Sequence, residues 1–243
     1  MSRSPDRTVI VETTIAAPVD EVWQALRDPE QIRRWHGWEY DGLDDEIRQI
    51  YVDAAEADDV GRKLAFPGVD ALFELEPRGN ETLLRVTKPA PTGDAPWEAF
   101  YDEIDEGWIS FVHQLAFALE RHPGEDRRTL QLDGVATTQG TPLTAAVLGL
   151  DAGATGERYS GTTPWGEQLS GSVRFRGDNQ IGLTVDEFGD GLLVLHAQPP
   201  SARPPRGGGR AILTFYGLDE DTLGAIGERW SQWMADTYPA PRE

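Results

Sequence analysis

Apolar residues change their spacing several times along this chain, and each change marks an element. Thr8 to Ile15 alternates, with Val9, Val11, Thr13 and Ile15 on one face and Thr8, Ile10, Glu12 and Thr14 on the other. That is the period of a half-buried strand. The spacing then widens. Val19, Val22, Trp23 and Leu26 fall at helical positions behind Pro18, and Asp20 and Glu21 sit where carboxylates complement a helix start. Asp28-Pro29 repeats the start signal and Gly37 supplies a stop, so two short helices carrying Trp23, Trp35 and Trp38 follow the strand. Leu43, Ile47, Ile50, Tyr51, Ala54 and Ala57 recur every three or four residues, which predicts helix over 44–57 with Asp44 or Asp45 as cap. The high β propensity of Ile50-Tyr51-Val52 keeps a strand reading open there.

Three short segments follow, Arg62–Phe66, Ala71–Glu76 and Thr82–Thr87, separated by Pro67-Gly68 and Arg78-Gly79-Asn80; they read as a meander. Tyr101, Ile104, Trp108, Phe111, Val112, Leu115 and Leu119 then make a broad helical stripe that ends at Pro123-Gly124. Beyond it, Leu169–Arg176, Gln180–Asp186, Gly191–Gln198 and Ala211–Tyr216 read as strands, and Asp219 to Asp236 as a helix with Leu223, Ile226, Trp230 and Trp233 on one face. Ser201 to Arg210 reads as a flexible loop.

The segment from Ala17-Pro-Val to Trp38 resembles the START-like, or Bet v 1-like (SRPBCC), superfamily, and within it the family named after the activator of Hsp90 ATPase. Glu106-Gly107-Trp108 and the apolar residues after it are similar to the opening of that family's long C-terminal helix. The resemblance covers residues 8–122. It implies an α+β, START-like helix-grip fold, a curved antiparallel sheet wrapped on a long C-terminal helix. The family's glycine-rich hairpin has no counterpart at 44–57. The order of elements after Gly124, strands closed by a helix, suggests a divergent second unit, although no residue-by-residue repeat is present and Pro142 to Leu150 is at best a remnant of the opening helices. The expected domains are 1–124 and 125–243.

Composition narrows the function classes. The 243 residues contain no cysteine, which excludes disulfides and thiolate chemistry, and a net charge of −20 repels phosphate backbones and anionic lipid surfaces. Neither nucleic acid nor a membrane is an expected partner, and the absence of a long apolar run predicts a cytoplasmic protein. Only Lys63 and Lys88 are lysines. The glycine-rich loops lack the lysine and strand-loop-helix setting of a phosphate cradle, and no histidine spacing suggests a metal, so no cofactor is expected.

Candidate chemistry is therefore concentrated in aromatic side chains. Trp35, Trp38, Tyr51, Phe66, Phe73, Trp108 and Phe111 are the expected lining of a ligand cavity between sheet and long helix. Ordinary packing of a short helix on the sheet explains the two tryptophans equally well. His36, beside Arg34 and Glu39, reads as an exposed cap histidine, His113 as a helix histidine with a satisfied ring, and His122 as a C-cap. His196 falls in a predicted strand. Arg203, Arg206 and Arg210 form a basic patch on a mobile loop, and Asp44-Asp45-Glu46 reads as helix-start carboxylates. Three functions fit: binding of a small apolar or aromatic molecule; an enzyme of the polyketide cyclase/dehydratase kind, as the superfamily resemblance implies, using His36, His113 and Tyr51; or a co-chaperone-like module with a protein partner.

Overall fold

The computed structural model describes residues 7–90, 95–201 and 204–240, with the side chains of 95–103 outside the described set. Two compact units divide the chain, Met1–Glu125 and Asp126–Glu243, each with its own sheet and core.

In the first unit, β1 (Arg7–Ile15) leads into α1 (Val19–Arg27), α2 (Pro29–Arg33) and α3 (Leu43–Ile47), and a π-helical turn spans Arg48–Ala54. Strands β2 (Glu56–Asp58), β3 (Lys63–Phe66), β4 (Ala71–Arg78) and β5 (Glu81–Pro89) precede the long α4 (Ala95–Arg121), about 40 Å at 1.5 Å per residue. The sheet is antiparallel, in the order β1-β5-β4-β3-β2. A bulge between Val9 and Val11 breaks the simple alternation of β1. Val9 is exposed and Ile10 packs beside Val11 on the core, which corrects the face assigned to both from period two.

The helix boundaries have local causes. The Asp28 side chain accepts a hydrogen bond from the Glu30 amide (3.0 Å) and Pro29 occupies the first turn of α2. Val22, Trp23, Ala25 and Leu26 bury the inner face of α1. The helix over 43–54 is present as expected, but its second half is π and not α, its cap is Gly42, and 56–58 is extended. Tyr101 lies outside the described side chains; Trp108, Val112 and Leu115 of the stripe are buried against Leu64, Phe73, Leu84 and Val86 of the sheet. The Ala16 amide donates to the Glu120 carboxylate (2.9 Å), fastening the end of β1 to α4.

In the second unit, β6 (Arg128–Val135) and β7 (Arg158–Thr162) precede β8 (Gln168–Arg176), β9 (Gln180–Val185), β10 (Gly191–Gln198), β11 (Gly208–Phe215) and α5 (Glu220–Thr237). The sheet order is β6-β11-β10-β9-β8-β7. Each unit therefore pairs its first strand antiparallel with its last, runs backwards through the others and ends in a helix. This shared connectivity makes the chain a divergent tandem of helix-grip units. Residues 145–149 form turns where the first unit has helices, and Gly208–Arg210 belong to β11, not to the expected loop. Among the described residues no helix is long and apolar enough to cross a membrane.

Candidate functional site

The turn after α2 carries the first part of the site. Trp35 is buried, and its Nε1–H donates to the Ala25 carbonyl (2.9 Å), one of the carbonyls left open at the end of α1. That bond fixes the backbone of the next residue. His36 is only 2 % exposed, which overturns its reading as an exposed cap, since the chain turns inward between α2 and Gly37 (φ 60°). The π-helical turn supplies the second part. Leu43 and Ile47 of α3 and Tyr51 of the π-turn are the buried residues of this stretch, and the Tyr51 hydroxyl lies 2.9 Å from His36 Nδ1. π-Turns are rare and recur at functional sites.

Proton placement follows from the neighbours. Complete burial pushes the Tyr51 phenol well above its ordinary value of 10, so it stays protonated and donates to Nδ1. Nδ1 then accepts, and Nε2–H faces the Glu46 carboxylate at a longer 3.4 Å. Glu46 is held below 4.5, chiefly by its hydrogen bond with His36 and also by that from Tyr40, against the opposing effect of partial burial. The Tyr40 hydroxyl donates to the second Glu46 oxygen, and that bond to an anion raises its pKa to about 12. Tyr51, His36, Glu46 and Tyr40 thus form a hydrogen-bonded series from a buried phenol to a half-exposed one. A phenol, an imidazole and an orienting carboxylate in this order have the logic of a base relay: Tyr51 accepts a proton as its own passes to Nδ1, and Glu46 stabilises the imidazolium.

All seven aromatic residues singled out from sequence join this array. Contacts between ring centroids close on themselves through His36–Tyr51 (5.1 Å), Tyr51–Phe66 (5.3 Å), Phe66–Trp108 (5.2 Å), Trp108–Phe111 (6.3 Å) and Phe111–His36 (4.7 Å). Trp35 packs on Tyr51, Phe73 on Phe66 and Trp108, and Trp38 on Phe111. Such pairs contribute about 0.5–1.5 kcal/mol each beyond their burial. The Trp108 Nε1–H is buried with no hydrogen-bond partner among the described residues. An unmet donor of this kind costs about 1–3 kcal/mol unless a ligand or water takes it.

Other expectations separate from this site. His113 is half-buried on α4, His122 is the residue after α4 and is buried, and His196 lies on β10 in the second unit. Arg203 is outside the described residues, Arg206 is exposed in a turn and Arg210 is a strand residue opposite Asp133 and His196. Asp44 pairs with Arg33, whereas Glu46 of the same acidic run turns to His36; no local pattern marks that difference. Among the described residues no group of three or more His, Asp or Glu side chains is arranged to hold a metal ion.

No family model and no curated protein matches the chain. Solved structures do show likeness along nearly its whole length. DynU16, a protein in the dynemicin biosynthetic locus, is 17% identical over 96% of each chain with a TM-score of 0.32. The di-domain ARO/CYC protein BexL from the BE-7585A biosynthetic pathway is 12% identical, covering 98% of this chain and 100% of its own, with a TM-score of 0.36. StfQ, the di-domain ARO/CYC protein of the steffimycin biosynthetic pathway, is 12% identical, covering 92% of this chain and 91% of its own, with a TM-score of 0.29. At such values no residue role follows from them.

Proposed function

We propose that the first unit binds a small aromatic molecule between its sheet and α4, against the Tyr51–Phe66–Trp108–Phe111 rings. The observation that carries this reading is the buried, unpartnered indole N–H of Trp108 amid aromatic side chains, which suits a ring with an oxygen acceptor. Titration of 1-naphthol followed by protein fluorescence tests it. Phe111→Trp, which enlarges a half-buried wall, is expected to weaken binding about tenfold, a change of about 1.4 kcal/mol. Equal binding by the parent and this variant would overturn the reading.

A second reading, an acid–base enzyme of the polyketide cyclase/dehydratase kind, is favoured by the Tyr51–His36–Glu46 array, a titratable series inside an aromatic wall. 4-Nitrophenol distinguishes it from binding alone, because the phenol and phenolate absorb differently. If the array exchanges a proton with the ligand, Tyr51→Phe changes the ionised fraction of bound 4-nitrophenol; an unchanged fraction confines the site to binding.

A further inference from the structure

The second unit holds a cleft of about 250 Å³ where turns stand in place of the first unit's opening helices. The connection from β6 to β7 covers 136–157, against 16–55 between β1 and β2, and this shorter stretch leaves one end of the sheet open. The floor is apolar, made by Leu143, Leu150, Ile181 and Leu195, all buried. The rim carries charges of both signs. Arg176 spends Nη2 on the carbonyls of Ala152 and Gly153 (2.8 Å each), leaving Nε and Nη1 without a partner among the described residues. Asp151 and Asp178, also on the cleft, are exposed and make neither an ion pair nor a hydrogen bond among those residues.

We propose that this cleft binds a small zwitterion with an apolar body, a free apolar α-amino acid. Its side chain covers the leucine and isoleucine floor, its carboxylate meets the guanidinium, and its ammonium meets Asp178 or Asp151. A volume of about 250 Å³ has room for a side chain of this size. Chemistry at the rim decides the class: an anion alone faces two carboxylates in a chain of charge −20, and a cation alone leaves Arg176 beside it unmatched.

The test is ligand-observed NMR on the full chain with L-phenylalanine, phenethylamine and 3-phenylpropionate. The amino acid is expected to bind at least about tenfold more tightly than either singly charged analogue, because each lacks one charge-assisted contact. Ala146→Trp, at an exposed position on the cleft, is expected to abolish that binding, and Asp151→Asn combined with Asp178→Asn to weaken it, with circular dichroism unchanged. Phe111→Trp in the first unit serves as control and is expected to leave it intact. Equal binding of the three probes, no binding of phenylalanine at millimolar concentration, or loss with Phe111→Trp in place of Ala146→Trp would overturn the proposal.

Discussion

Tyr51 and His36 stand fifteen positions apart and depend on one another for a buried hydrogen bond. Tyr51→Phe leaves the imidazole Nδ1 without that donor, so a loss of about 1–3 kcal/mol is expected in urea denaturation, more than the isosteric swap would cost elsewhere in the core. Glu46 gives the pH dependence of the same array. Its folded pKa lies below 4.5, so the stability it adds is fully present above that value and disappears as pH falls through the lowered one. Glu46→Gln should therefore differ from the parent most at neutral pH and least in acid; a constant gap in melting midpoint from pH 7 to pH 3 would show that Glu46 is not coupled to His36. These residues were only partly legible. Aromatic side chains announce themselves by size and spacing, whereas the burial of His36 depends on a tryptophan capping a different helix.

The long helix was readable because its stripe repeats over many turns, and its energetic weight can be tested directly. Trp108→Ala is expected to cost about 3–5 kcal/mol, as large buried aromatics do. Trp108→Phe removes the unmet N–H while keeping a ring, so it should cost far less stability than Trp108→Ala yet weaken 1-naphthol; a variant that binds 1-naphthol as the parent does would show that the indole N–H meets no ligand. In the second unit, a Cβ on Gly134 would lie 1.8 Å from the Tyr238 carbonyl oxygen, where the C-terminal chain crosses β6. Gly134→Ala should therefore destabilise by about 2–3 kcal/mol, read as a lower urea midpoint. Sequence inspection missed β6 and β7 entirely. In β6 Leu130 and Leu132 do alternate with Thr129, Gln131 and Asp133, but the pattern is brief and Gly134 breaks it, and β7 is mostly polar with Tyr159 its one large buried side chain. Their strand character comes from pairing with β11 and β8.

For the molecule as a whole, a charge of −20 means that the folded chain works against its own repulsion. Raising sodium chloride from 10 mM to 0.5 M should raise the melting midpoint, because the screening length falls from about 30 Å towards a few Å; a midpoint that stays flat or drops would show that the acidic residues are already compensated locally. The charge, the absence of cysteine, the first strand, the paired short helices and both closing helices were written in the sequence, since each rests on composition or on a period that holds over several turns or residues. The tandem connectivity was not, because a five-stranded and a six-stranded sheet with the same order of connection show no residue-by-residue repeat, and topology resides in which backbones pair. Nor was the site: Tyr51, His36 and Glu46 meet only when a π-turn, a capped helix end and the sheet-facing side of α4 are assembled, and contacts between residues on separate elements leave no periodic trace in the chain.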